Sequence, residues 1–150
     1  MKNSSINFHQ GLAMVEFTIL LPLMLLVLLA TMELGRAFYT YTSLEKSTRD
    51  SARYLSGAIV KGSTGTYTLL QTDIDNASNL AVYGTISGGT DPRLPSMATS
   101  QVSITLNNNH VLIEIIYPYQ PALAQIPDLL NQGAISLNFN MTSSYSMRVL

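Results

Sequence analysis

The chain begins with a long apolar run and changes to spaced and then alternating apolar patterns further on. After Gly11 one charged residue, Glu16, precedes an uncharged run from Phe17 to Met32. A helix needs about 20 mostly apolar residues to cross a bilayer, and the stretch 12–32 reaches that length only when Glu16 is included. The pattern therefore predicts a transmembrane helix over 12–32.

Past Met32 the apolar positions recur at three- and four-residue steps, which is typical of one face of a continuing helix. This stripe consists of Leu34, Ala37, Phe38, Tyr41, Leu44, Thr48, Ala52 and Leu55. Ser56 and Gly57 then form a signal for the end of a helix. The sequence therefore predicts one helix from about Leu12 to about Ser56, with a projecting amphipathic half over 33–57.

Charged pairs accompany this helix. Glu33 and Arg36 stand three residues apart just past the apolar run, and we interpret them as a collar at the membrane surface or as an intersubunit pair. Gly35 beside them would let another helix approach closely. Two pairs at four-residue spacing lie on the polar side: Glu45 with Arg49, and Lys46 with Asp50.

Pro22 lies inside the apolar run and is expected to disturb the helix. Proline removes a backbone hydrogen bond and clashes with the preceding turn, so the carbonyl of Thr18 loses its partner. We expect a kink around residues 18–22, which neighbouring helices in a membrane make tolerable. A bent anchor and a hinge used on leaving the bilayer are compatible interpretations.

Glu16 is the anomaly of the segment, because a carboxylate at membrane depth is costly and requires a partner. If the chain is cut after Gly11, Leu12 becomes a new N-terminus, and its ammonium group can pair with Glu16 of a neighbouring subunit. The other interpretation places Glu16 at the bilayer surface, where its side chain reaches the headgroups. The apolar pattern alone leaves both interpretations open.

The remainder of the chain reads as a small domain over 58–150. The predicted helical and loop elements are a helix over 69–83 with Leu70 on its apolar face, a loop over 85–100, and a short helix or loop over 121–131. The predicted strands lie over 102–106, 110–117 and 137–147, and Pro118 and Pro121 end the second strand. The three strands form an antiparallel sheet, the first two as a hairpin. The predicted fold class is α+β, with a long N-terminal helix and one or two short helices beside the sheet.

The composition of the chain argues against several classes of partner and chemical site. The net charge is −1, charged residues are 11% of the chain, and no basic cluster stands out, which argues against a nucleic-acid partner. The absence of Cys excludes disulfides, thiol nucleophiles and Cys-based metal sites. His9 and His110 lie far apart, and residues 73–76 lack the Gly and distal Glu of a calcium loop. We expect no catalytic residue, metal or cofactor, and a structural protein rather than an enzyme.

The N-terminal residues resemble a known family. A Gly five positions before a Glu, followed by Phe and a long apolar run, is similar to the class III signal of type IV pilin-like proteins. Further resemblance lies in Val15-Glu16-Phe17, Leu21-Pro22, Glu33-Leu34-Gly35-Arg36 and Arg49-Asp50-Ser51-Ala52-Arg53-Tyr54. Together they resemble TadE-like proteins, the minor pilins or pseudopilins of tight-adherence (Tad/Flp) pilus systems. The resemblance covers the first third and returns weakly in residues 144–148.

The resemblance implies a function in assembly. Residues 1–11 would be a leader that a prepilin peptidase removes between Gly11 and Leu12, and Glu16 would act in assembly. The mature protein would be a single-pass inner-membrane protein with its C-terminal domain in the periplasm, and would reach the pilus or cell surface after assembly. Implied partners are other minor pilins, the major pilin, the inner-membrane assembly platform and the peptidase.

Two other functions fit the same architecture. The first is a single-span, membrane-anchored periplasmic sensor or binding module, which only the Gly11 and Glu16 signal distinguishes from a pilin-like protein. The second is an adhesin that binds a surface glycan through its Tyr- and Asn-rich domain. The mass of the mature protein separates the pilin-like hypothesis from the sensor hypothesis, because only the former predicts loss of residues 1–11.

Overall fold

The chain forms two compact units, Met1–Arg36 and Ala37–Leu150. The computed structural model describes residues 8–59, 67–107, 109–122, 125–126 and 135–149. The first seven residues of the predicted leader, Asn108 in the predicted turn and most of the predicted short helix or loop over 121–131 lie outside the described residues. The predicted domain boundaries stay predictions.

One helix, α1, spans Phe8–Ala58 and passes through Pro22. Its extent confirms the prediction of a single helix from the apolar run to the Ser56-Gly57 signal. In the N-terminal unit, two Thr hydroxyls donate to carbonyls one turn earlier: Thr18 to Met14 at 2.7 Å and Thr31 to Val27 at 2.8 Å. The polar atoms of both side chains are therefore satisfied within the helix, as an apolar environment requires.

The C-terminal unit is built around a three-stranded antiparallel sheet. Its strands are β1 (Val102–Asn107), β2 (His110–Tyr119) and β5 (Phe139–Arg148), in the order β1-β2-β5. Ile113 at the centre of β2 lies opposite Ile104 of β1 and Tyr145 of β5. Because β2 and β5 each bury one face and β1 half-buries one, the alternating pattern sets this register. The predicted hairpin and third strand are confirmed.

The predicted end of the second strand at Pro118 is wrong, because β2 continues to Tyr119. Pro118 lies opposite Asn140 of β5, whereas pairing of β2 with β1 ends at Ile115. Beyond Ile115 the strand has a neighbour on one side only among the described residues. Proline is tolerated in such an edge position, because no ladder bond on the open side needs its missing N–H.

The second helix, α2, spans Gln71–Tyr83 and ends at Gly84, whose φ of 80° is readily adopted by glycine. Ala77, Ala81 and Val82 are fully buried on its packing face. Leu70 was predicted on this face and is not, since it precedes the helix as its N-cap residue and is 57% exposed. A residue at the cap has left the helical repeat that would direct it inward.

The core of the C-terminal unit joins the second part of α1, α2 and one face of the sheet. Its fully buried side chains include Leu44, Ala52, Leu55, Ala77, Ala81, Val82, Val111, Ile113 and Ile115. Small hydroxyl residues of α1 are buried among them, and two of these hydroxyls bond to another element. Ser51 Oγ donates to the Ala77 carbonyl at 3.0 Å, and the hydroxyls of Thr48 and Ser143 lie 3.0 Å apart.

The loop between α2 and β1 is held by polar contacts and contains a 3₁₀ turn over Thr99–Gln101. Arg93 pairs with Asp50 at 3.2 Å, and Tyr117 Oη donates to the Pro95 carbonyl at 2.8 Å. The predicted pairing of Asp50 with Lys46 is therefore wrong, whereas that of Glu45 with Arg49 is confirmed at 2.8 Å. The fold brings Arg93 close to Asp50, and Arg93 takes the place of the predicted partner Lys46.

Two short strands, β3 (Gln125–Ile126) and β4 (Ile135–Ser136), form a separate antiparallel pair between β2 and β5 in chain order. β3 lies within residues 121–131, where the sequence predicted a short helix or a loop, whereas β4 lies beyond that range. The observed fold class is α+β, with a long N-terminal apolar helix, a three-stranded antiparallel sheet and a short helix. The predicted fold class is confirmed.

Candidate membrane and assembly segment

The N-terminal part of α1 exposes almost all of its apolar side chains. Between Leu12 and Met32 the large apolar side chains range in exposure from 38% at Leu21 to 71% at Leu12, and Leu26 alone is half-buried. From Gly11 onward this helix is long and apolar enough to cross a membrane. A continuous apolar surface of this kind marks contact with lipid or with another protein.

Gly11 and Glu16 stand at the start of this surface. A β-carbon built on Gly11 meets no atom within 4 Å, so the fold of the described chain does not require glycine there. Glu16 is exposed, and no ion pair involves it within the described part of the chain. A headgroup and a neighbouring ammonium group therefore both remain available as its partner.

Glu33 and Arg36 form the predicted pair three residues apart on α1. Arg36 Nη1 lies 3.9 Å from Glu33 Oε2, and the side chain of Glu33 is 12% exposed against 44% for Arg36. The guanidinium group is therefore the more accessible partner and shields the carboxylate. Gly35 lies between them, and a β-carbon there meets nothing within 4 Å. A role for Gly35 must therefore come from outside the described chain, and the intersubunit contact stays a prediction.

Pro22 occupies the middle of the exposed apolar surface. Helix α1 continues on both sides of it, and the predicted kink stays a prediction. The carbonyl that Pro22 deprives of its helical partner belongs to Thr18, whose own hydroxyl is already committed to the Met14 carbonyl. The side chain of Thr18 therefore does not compensate for the missing backbone bond.

Two aromatic residues in α1 differ from the prediction. Phe38 and Tyr41 were assigned to a packing stripe, yet Phe38 is 62% and Tyr41 is 41% exposed, and the adjacent Tyr39 is 73% exposed. Leu34 of the same stripe is 57% exposed, whereas Leu44 is fully buried. A three- and four-residue spacing identifies one face of a helix but not where the covering elements begin.

No group of three or more His, Cys, Asp or Glu side chains that would hold a metal ion occurs among the described residues. His110 is exposed at the start of β2, opposite Asn107 and Arg148 in the two ladders. Asp75 on α2 accepts a hydrogen bond from Gln71 Nε2 at 2.9 Å.

The similarity of the chain to a known family lies in α1. The family model described as TadE-like protein matches residues 11–53, under a third of the chain. The matched range contains every predicted site residue from Gly11 to Arg36, and the weaker resemblance at 144–148 lies outside it. No curated protein and no solved structure matches the chain. The resemblance inferred from the N-terminal residues is confirmed over 11–53.

Proposed function

We propose that this TadE-like chain is a minor pilin or pseudopilin that helps to initiate or build a Tad/Flp-type pilus used in adherence. The TadE-like family suggests a protein related to Tad pili. The single observation that carries the finer proposal is the coincidence of the family match with an exposed apolar surface on α1. The function is structural and requires no catalytic residue or cofactor.

The apolar part of α1 first serves as an anchor in this proposal. It holds the precursor in the inner membrane as a single span, with the C-terminal unit in the periplasm. The burial pattern supports two separate roles, because side chains are exposed over the apolar run whereas Leu44, Thr48 and Leu55 are buried in the core of the C-terminal unit. Assembly then replaces lipid around the run with helices of other subunits.

Processing precedes assembly in the proposal. A prepilin peptidase cuts between Gly11 and Leu12, where a residue without a side chain gives access to the backbone. The new ammonium group at Leu12 then pairs with Glu16 of a neighbouring subunit when the helices pack. Glu16 supports this role because it is exposed and has no ion pair within the described residues.

The proposed partners are other minor pilins, the major pilin, the inner-membrane assembly platform and the peptidase. Gly35 supports contact with a second helix, since its open surroundings leave room for an approaching backbone. The Glu33–Arg36 pair beside it can exchange partners across such a contact, because its 3.9 Å separation is that of a loose ion pair.

The decisive experiment measures the intact mass of the protein in the membrane fraction. We expect the mature wild type to lack residues 1–11, and Gly11→Val to accumulate as the precursor. Gly57→Val is the matched control, because Gly57 also lies in α1 and a β-carbon there meets nothing within 4 Å either. Both substitutions are sterically allowed in the described chain, so loss of processing in Gly11→Val alone reports recognition by the peptidase.

A mature wild type that still begins at Met1 would contradict the pilin-like proposal and favour the membrane-anchored sensor or binding module, which needs no processing. A cut after Ala30 would indicate an ordinary secretory signal and would also contradict it. Equal processing of Gly11→Val and Gly57→Val would show that the peptidase does not recognise Gly11. It would not contradict the proposed membrane anchor.

A further inference from the structure

Three aromatic rings stand exposed on α1 shortly after the apolar run. Phe38, Tyr39 and Tyr41 have exposures of 62%, 73% and 41%. They lie in a stretch without charged residues that extends from Ala37 to Leu44. The described chain leaves Phe38 and Tyr39 largely uncovered and Tyr41 partly uncovered, although they are among its largest apolar side chains.

The directions of the three rings distinguish contact with a lipid layer from contact with a single packed helix. At about 100° per residue, Tyr39 points about 100° to one side of Phe38, and Tyr41 about 60° to the other. The three rings therefore span about 160° of the helix circumference. A single packed helix covers a narrower stripe, whereas a lipid layer meets every direction. Tyr rings are also enriched where a membrane meets water, because they combine an apolar ring with a polar hydroxyl.

The position of the rings along α1 selects one placement of the helix in the bilayer. Residues 12–32 and residues 17–36 each extend about 30 Å and match the hydrocarbon core, which is flanked by headgroup layers of about 5–7.5 Å. With the core over 12–32, residues 38–41 lie about 9–13.5 Å beyond it and outside the headgroups. With the core over 17–36, they lie about 3–7.5 Å beyond it and within the headgroup layer.

The charged residues favour the same placement. A core over 12–32 encloses Glu16, which has no ion pair within the described residues. A core over 17–36 leaves Glu16 at the opposite surface and takes in Glu33 and Arg36, which already form a pair. Charged groups inside membranes are tolerated when they pair with each other, and Arg36 at the end of the core can extend towards the headgroups.

We propose that Phe38, Tyr39 and Tyr41 form an aromatic collar among the lipid headgroups on the periplasmic side, with the hydrocarbon core over residues 17–36. The collar rests on the proposed anchoring of α1 and moves the span predicted from the apolar pattern by four to five residues. Before assembly it sets how deep the precursor lies and keeps Glu16 at the cytoplasmic surface, where the peptidase reaches Gly11.

The absence of Trp from the chain permits a direct test. Tyr39→Trp and Met24→Trp each introduce a single fluorophore at a position that is exposed on α1. The full-length protein is reconstituted in phosphatidylcholine–phosphatidylglycerol vesicles whose acyl chains carry bromine at a shallow or a deep position. We expect the shallow label to cause the larger loss of emission for Tyr39→Trp, and the deep label for Met24→Trp. Phe38→Trp should repeat the result of Tyr39→Trp.

The other possible results would refute either the aromatic collar or the proposed anchoring of α1. Quenching of Met24→Trp by the deep label, with Tyr39→Trp quenched only by aqueous acrylamide, would leave the anchor standing and refute the collar. Protection of Tyr39→Trp from both lipid labels and acrylamide would show that the ring packs against protein, which also refutes the collar. If lipid labels quench neither variant, the proposed anchoring itself fails.

Discussion

The hydroxyl of Thr48 offers a test of how α1 is held against the sheet. Thr48 is fully buried, and its Oγ1 lies 2.9 Å from the Leu44 carbonyl oxygen and 3.0 Å from Ser143 Oγ on β5. A hydroxyl carries one proton, so Thr48 donates one of these bonds and accepts or shares the other. Thr48→Val keeps the side-chain shape and removes both bonds.

The expected cost follows from what each substitution leaves unpaired. In Thr48→Val the hydroxyl of Ser143, which is 5% exposed, loses the partner shown for it, and a buried unsatisfied group costs about 1–3 kcal/mol. In Ser143→Ala, Thr48 keeps the Leu44 carbonyl, so the free energy of unfolding should fall by about 0.5–1.5 kcal/mol. The double variant leaves no polar atom of the pair unsatisfied and should cost no more than Thr48→Val alone.

Urea unfolding of the full-length chain in a mild detergent, followed by the near-ultraviolet circular dichroism of its tyrosines, measures these differences. We expect shifted midpoints with an unchanged slope. Thr42→Val is the matched control, because its hydroxyl bonds the Tyr39 carbonyl at 2.9 Å on the exposed surface of α1, and its midpoint should stay at the wild-type value. Costs of Thr48→Val and Ser143→Ala that simply add in the double variant would refute the reasoning.

Two further predictions concern insertion and assembly. Glu16→Ala should be inserted and cleaved like the wild type, but it should no longer co-purify with partner pilins or form surface pili. Glu16→Asp should be intermediate, because its side chain keeps the charge and is shorter. Normal pili with Glu16→Ala would assign Glu16 to the membrane surface alone. A periplasm-active reporter fused after Leu150 should be active, because α1 is the one helix among the described residues that is long and apolar enough to anchor the exported domain. The charge bias of Lys2 against Arg36 adds little to this expectation. Activity of a cytoplasm-specific reporter at the same position would contradict the proposed topology.

Local signals account for the parts of the fold that the sequence predicted correctly. The continuous helix to Ala58, the alternation in β1 and β2, and the stop at Gly84 each depend on residues within a few positions of one another. Hydrophobic period and turn chemistry act over that range, so one sequence is enough to predict these elements. The candidate residues from Gly11 to Arg36 stay predictions, which depend on their local spacing and on the resemblance of that stretch to TadE-like proteins.

The features that local patterns did not predict depend on residues that are distant in the chain. Asp50 pairs with Arg93, 43 positions away, and not with Lys46 on the next turn. The same apolar stripe is exposed at Phe38 and buried at Leu44. Which side chains share a face of a helix or strand follows from the order of the residues alone, since that depends on backbone period. Which part of a face is covered, and by what, depended on where the sheet and α2 pack, because burial is a property of the elements that meet.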